Sequence, residues 1–129
     1  MTRYGWAVAA AMLLSPGAVV QHPVHEVQVV ASKFMFEPEA IDVSAGESVR
    51  LVLRSKDTVH GFSIPNLKID VQIPKSGGDP VIVEFVAPPP GRFEIACSEF
   101  CGAGHGHMKA ALISISRADP NHLRSEVAP

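Results

Sequence analysis

Beyond residue 26 the chain alternates apolar and polar positions in short runs, each broken by residues that favour turns. Such alternation marks a strand with one buried face, because successive side chains of an extended backbone point to opposite sides. Val27 and Val29 open the pattern, followed by Phe34-Met35-Phe36-Glu37-Pro38 and by Ala40 to Val43, which leads to a turn at Ala45-Gly46-Glu47. Val49, Leu51 and Leu53 then alternate with Arg50 and Arg54, which predicts a half-buried strand. Lys56-Asp57 turns the chain into a strand over Val59 to Ile64. Leu67, Ile69, Val71 and Ile73 alternate with Lys68, Asp70 and Gln72, and Pro74 to Pro80 reads as a loop. The nearly continuous apolar run Val81 to Val86 predicts a buried strand. Ala87-Pro88-Pro89-Pro90-Gly91 cannot pair in a sheet and forms a corner. Phe93 and Ile95 lead into Cys97, and Leu112, Ser114 and Ser116 alternate with Ala111, Ile113 and Ile115 in a last strand.

No stretch shows a convincing helical period, so the elements predict an all-β, Greek-key β-sandwich. The eleven prolines and ten glycines suit a domain built from many turns. A length of 129 residues supports one core and not two. Two segments fall outside the pattern. Residues 1–20 carry Arg3, an apolar run from Trp6 to Leu14 and the break Ser15-Pro16-Gly17-Ala18, which reads as a secretory signal, with an uncleaved anchor as the alternative. The run is shorter than the roughly 20 residues of a membrane-spanning helix. Residues 21–33 are assigned to a linker and first strand, with His22 and His25 in an exposed stretch, and 117–129 to a polar tail. A net charge of −2 without a basic patch argues against a nucleic-acid partner.

The chemistry is concentrated in one stretch, Cys97 to Met108. It holds both of the chain's two cysteines, two of its six histidines and one of its four methionines. Thiolate, imidazole and thioether are soft or borderline ligands that suit copper rather than calcium or magnesium. Gly102, Gly104 and Gly106 allow sharp bending and disfavour a regular helix. Each residue also has an ordinary explanation: a small disulfide for the cysteines, a solvated loop histidine, a methionine filling the core. Zinc competes on ligand type, but structural zinc sites use Cys and His without thioether. The clustering favours a metal cage, and Met108 favours copper.

The run C-x-E-x-C-x-x-x-H-x-x-M resembles the binuclear copper (CuA) loop of cytochrome c oxidase subunit II, a cupredoxin-like domain. The resemblance extends from about Phe34 to about Ser116 and takes in Val59-His60-Gly61-Phe62 and Pro90-Gly91-Arg92-Phe93, which gives 34–116 as the copper domain. It implies that the sulfurs of Cys97 and Cys101 bridge two copper ions, with one of His60 and His105 on each. Met108 is then a weak ligand to one copper and the backbone carbonyl of Glu99 to the other. On the family spacing His107 is not a ligand, and Asp70 matches an acidic region. A sandwich brings His60, at a strand end, and the loop between the last two strands to one end of the molecule.

The implied function is electron transfer, from a cytochrome c-like donor to the catalytic subunit of a haem-copper oxidase, on the extracytoplasmic side of a membrane. The chain departs from the family in two respects. Residues 1–20 do not match the two membrane-spanning helices that many members carry, and Trp6 is the only tryptophan, so the tryptophan-rich electron entry region is lacking. Phe34 or Phe36 is the available aromatic substitute near the site, with a place in the core as the equal alternative for either. Two other classes stay open: a soluble copper protein for storage, delivery or electron carriage to another partner, and a metal-free sandwich with a Cys97–Cys101 disulfide. No catalytic acid, base or nucleophile is assigned.

Overall fold

The computed structural model describes residues 16–19 and 21–117, and the segments expected as signal and tail lie almost wholly outside them. Nine strands form: β1 (His25–Ser32), β2 (Met35–Glu37), β3 (Ala40–Ser44), β4 (Ser48–Ser55), β5 (His60–Ile64), β6 (Ile69–Ile73), β7 (Val81–Val86), β8 (Gly91–Ala96) and β9 (Lys109–Ile115). They make a four-stranded sheet in the order β2-β1-β4-β7 and a five-stranded sheet in the order β3-β9-β8-β5-β6. The two sheets pack as the expected all-β sandwich. β1 runs parallel to β4 and β3 parallel to β9, while all other pairs are antiparallel. Among the described residues the only helical pieces are 3-10 turns at Pro65–Leu67 and His105–His107.

The core follows the alternation. Val49, Leu51 and Leu53 of β4 and Val29 and Ala31 of β1 point inward, and Ile41, Val43, Phe62, Ile64, Ile73, Ile95 and Leu112 meet them from the other sheet. Phe36 and Phe62 pack edge to face with centroids 5.6 Å apart, an arrangement that matches the positive edge of one ring to the negative face of the other. Each such large apolar side chain stabilises the fold by about 1.5–3 kcal/mol through burial.

Three expectations need correction. Val81 to Val86 is not a buried strand: only Val83 is buried, while Ile82 and Val86 are 49% and 65% exposed, because alternate side chains of β7 lie on the outer face of the sandwich. The linker over Gln21 to Glu26 ends earlier than expected, since His25 and Glu26 already pair with Val49 and Arg50. Leu67 belongs to a 3-10 turn, not to the strand, and Lys68 leaves that turn in the left-handed region at φ 56°.

β5 is buried at all five positions. His60, Phe62 and Ile64 share one face by the period of two, so the histidine extends the row of core side chains to the strand's first residue. Gly61 and Ser63 take the opposite face, where Ser98 and Glu99 lie against Gly61 and Ser63 Oγ donates to Ala96 O at the end of β8.

Candidate metal centre

The segment Cys97–Met108 connects β8 to β9, two antiparallel neighbours. Its mouth is closed by a hydrogen bond from Cys97 N to Met108 O at 3.2 Å. Inside it, His105 N donates to Gly102 O, His107 N to Gly104 O and Met108 N to His105 O, a succession of tight turns. Gly102 sits at φ +140°, a conformation that residues with a side chain rarely adopt. Phe34 supports the segment from below. A Cβ on Gly104 would fall 2.6 Å from Phe34 Cγ, so glycine is what lets the ring lie flush against the turn.

Gly61 solves the same problem on the other side. A Cβ there would meet Ser98 and the backbone N of Glu99, so the loop can approach β5 only over a glycine. That approach brings Gly61 N within 3.4 Å of Cys97 Sγ. Ser98 Oγ then donates to Asp70 Oδ1 on β6 at 2.6 Å, which fastens the loop to the sheet edge. Asp70 thus has a structural partner in the loop.

The donors converge. Cys97 Sγ lies 3.6 Å from Cys101 Sγ, and the two are free thiols, not a disulfide with its S–S length of about 2.05 Å. One ring nitrogen of His60 and both sulfurs lie within 4.8 Å of one another. Cys101 Sγ is 3.8 Å from His105 Nδ1 and 3.8 Å from Met108 Sδ, and Cys97 Sγ is 3.1 Å from Glu99 O. Cys97, Cys101, His60 and Met108 are buried and His105 is half-buried, while His107 is exposed. All six sequence-predicted donors therefore meet at one end of the sandwich, and His107 stands apart. Phe36 is core, whereas Phe34 is 38% exposed beside the site.

The electrostatics fit a cation. Burial pushes the Cys101 thiol up to about 11, and the hydrogen bond and charge of Cys97 push in the same direction. A positive charge beside the Cys101 sulfur would oppose that shift. His60 Nδ1 is buried with no hydrogen-bond partner, because Nε2 is the nitrogen engaged with Asp57 Oδ1, at 2.6 Å. An orphaned buried nitrogen on a ring grouped with two sulfurs is the feature a soft metal ion would satisfy. Burial works to raise the Asp57 carboxyl, but the N–H of Lys33, the His60 ring and the N–H of Thr58 outweigh it and hold it at about 2.

Comparison with known proteins agrees with this geometry. The family model for the cupredoxin-like domain matches residues 5–110. The chain belongs to the cupredoxin-like family. Within the family it is similar to cytochrome c oxidase subunit 2 of Thermus thermophilus, 31% identical over 89 residues, which is 69% of this chain and 64% of that relative. The chain thus spans just under two thirds of that relative's length. The periplasmic domain of subunit II of cytochrome oxidase (CoxB) of Bradyrhizobium japonicum superposes with a TM-score of 0.65 at 16% identity, over 80% of this chain and 90% of that one. A chain of a heme-copper terminal oxidase dimer gives a TM-score of 0.64 at 24% identity, over 84% and 76%. These structural likenesses speak for the fold. A cupredoxin with this donor set is a copper protein.

The sequence did not single out three residues that shape the cupredoxin site. Asp57 was read as part of a turn, although its place three residues before His60, between Ser55 and Thr58, was a usable signal. Gly61 gave no hint of the loop it must admit. Phe100, 81% exposed, has its ring centroid 5.9 Å from that of His105 and caps the open edge of the site.

Proposed function

We propose that this chain is a binuclear-copper electron-transfer domain of a cytochrome c oxidase subunit II. The observation that carries the reading is the convergence of two thiols 3.6 Å apart with two imidazoles, a thioether and a backbone carbonyl at one end of a rigid sandwich. Cys97 and Cys101 would bridge two copper ions, His60 through Nδ1 and His105 would each bind one, and Met108 Sδ and Glu99 O would be weak ligands. Bound copper supplies one-electron oxidation and reduction. The rest is the protein's work. Strands β5, β8 and β9 hold the donors in place, so little rearrangement accompanies a change of charge. Burial of both sulfurs keeps water from them, and the half-buried His105 beside Phe100 leaves one edge open to a partner.

The partners follow from the same reading: a cytochrome c-like donor and a haem-copper oxidase as acceptor. The likeness to a periplasmic domain and the signal-like pattern of residues 1–20 support a location on the extracytoplasmic face. Among the described residues no helix is long and apolar enough to cross a membrane. The test is copper stoichiometry with electron paramagnetic resonance on the purified protein. Two coppers per chain sharing one unpaired electron is the expected result. A single mononuclear copper that passes readily to a chelator would instead mark a storage or delivery protein.

A further inference from the structure

Asp57 has more polar partners at this end of the molecule than the ligand chemistry alone requires. Its Oδ1 accepts from His60 Nε2 at 2.6 Å and from Thr58 N at 2.7 Å, and its Oδ2 accepts from Lys33 N at 2.8 Å. Its backbone is held as well: its N–H donates to Ser55 Oγ at 3.1 Å, and its carbonyl accepts from Ser76 N at 2.9 Å. One side chain therefore joins the β4–β5 turn, the histidine that opens β5, and the β1–β2 turn.

Two consequences follow. A carboxylate accepts and does not donate, so the proton of neutral His60 must sit on Nε2. That leaves Nδ1 as the lone-pair nitrogen, and Nδ1 is the buried ring atom without a partner. The second consequence runs through Lys33. The residue after it is Phe34, whose ring supports Gly102 and Gly104 in the segment bearing Cys101 and His105. The carboxylate thus touches one donor directly and the other donors' platform through a single peptide.

We propose that Asp57 is a positioning residue that fixes His60 as the Nε2–H tautomer with Nδ1 presented to the metal, and at the same time anchors the Phe34 turn beneath the Gly102–Gly104 segment. The proposal rests on the copper reading for the metal's identity, but the tautomer is a property of the metal-free chain. Partners of this kind typically contribute 10–100-fold to metal affinity.

Two substitutions separate the roles. Asp57→Ala removes every acceptor. Asp57→Asn keeps an oxygen at the Oδ1 position, where two donors converge, and places its amide NH2 against the Lys33 N–H. Two-bond proton–nitrogen correlation spectra of the labelled, metal-free full chain at neutral pH report the His60 tautomer. Copper titration and paramagnetic resonance of the same proteins report the site. The native chain and Asp57→Asn are expected to show a single Nε2–H tautomer. Asp57→Ala is expected to show mixed tautomers, an altered copper spectrum and an affinity loss of about 10–100-fold, largely restored in Asp57→Asn. A native His60 with its proton on Nδ1 overturns the proposal, as does an Asp57→Ala protein with native tautomer, spectrum and affinity. If Asp57→Ala does not fold, an Asp57→Asn protein with scrambled tautomers overturns it. A native chain that binds no copper would remove the copper reading, and the tautomer measurements would still decide the role of Asp57.

Discussion

At the scale of single residues, the two thiols are the donors without substitutes. A hydroxyl stays protonated at neutral pH, so Cys97→Ser or Cys101→Ser leaves one soft anion where bridging needs two. Either variant is expected to lose the two-copper spectrum and retain at most one copper per chain. Met108→Leu keeps the volume of the core and removes a weak ligand, so copper content should persist while the reduction potential shifts. His107→Ala should behave as the native protein, and His105→Ala should not, which copper content and visible spectra will show. The raised Cys101 pKa adds a pH dependence. The folded thiol holds its proton to about 11 against an ordinary value of 9.0, so its contribution to metal-free stability is intact below about pH 9 and lost as pH rises towards 11. Denaturant midpoints of the metal-free protein should fall across that range, and not in Cys101→Ser. Copper uptake must displace the thiol protons, so apparent affinity should rise with pH. These donors were legible in the sequence because five of the six lie within one loop. His60 was legible only through the resemblance, since its distance along the chain from Cys97 is bridged by sheet pairing alone. Asp57 was not legible, because a turn aspartate and a histidine-positioning aspartate look alike until β5 is placed beside the β1–β2 turn.

Elements set the tolerances around those residues. Gly61→Ala drives a methyl into Ser98 and the Glu99 backbone, and neither β5 nor the loop can yield without moving a donor. The expected cost is about 1–3 kcal/mol of stability, with a changed copper spectrum, measurable by denaturation and resonance on the same sample. The edge strand β7 should be forgiving. Ile82→Thr, on its exposed side, is expected to change stability by less than about 0.5 kcal/mol. Leu51→Ala, in the fully buried row of the neighbouring β4, should cost about 2–5 kcal/mol. The contrast shows why the strand pattern was readable and its depth was not. Alternation placed β4 and its inward face correctly. A continuous apolar run carries no periodicity, so Val81 to Val86 gave no sign that one side of β7 lies on the outer, solvent-facing side of the sheet. The end of the linker was hidden for a related reason: His25 and Glu26 enter β1 by parallel pairing with β4, which their polar side chains do not announce.

At the scale of the whole molecule, the metal site is an attachment to a core that does not depend on it. The buried cluster runs through both sheets from Val49 and Ala87 to Ile64 and Ile73; of the donor set Cys97, Cys101 and Met108 join its edge, with His60 buried alongside. Small domains whose core is the metal unfold when it is removed. This sandwich should instead remain folded without copper, with strand-type circular dichroism and a cooperative thermal transition. Copper binding to the folded state alone then adds stability by mass action, about 2.7 kcal/mol at a free concentration 100 times the dissociation constant. For a domain near 100 residues, each kcal/mol corresponds to about 4–8 °C, so the melting temperature should rise by roughly 10–20 °C on loading. Calorimetry of the metal-free and loaded chain gives both numbers. A metal-free chain without a cooperative transition would show that the donors nucleate the fold. A loaded chain melting at the metal-free temperature would show that the site does not hold copper in the native state.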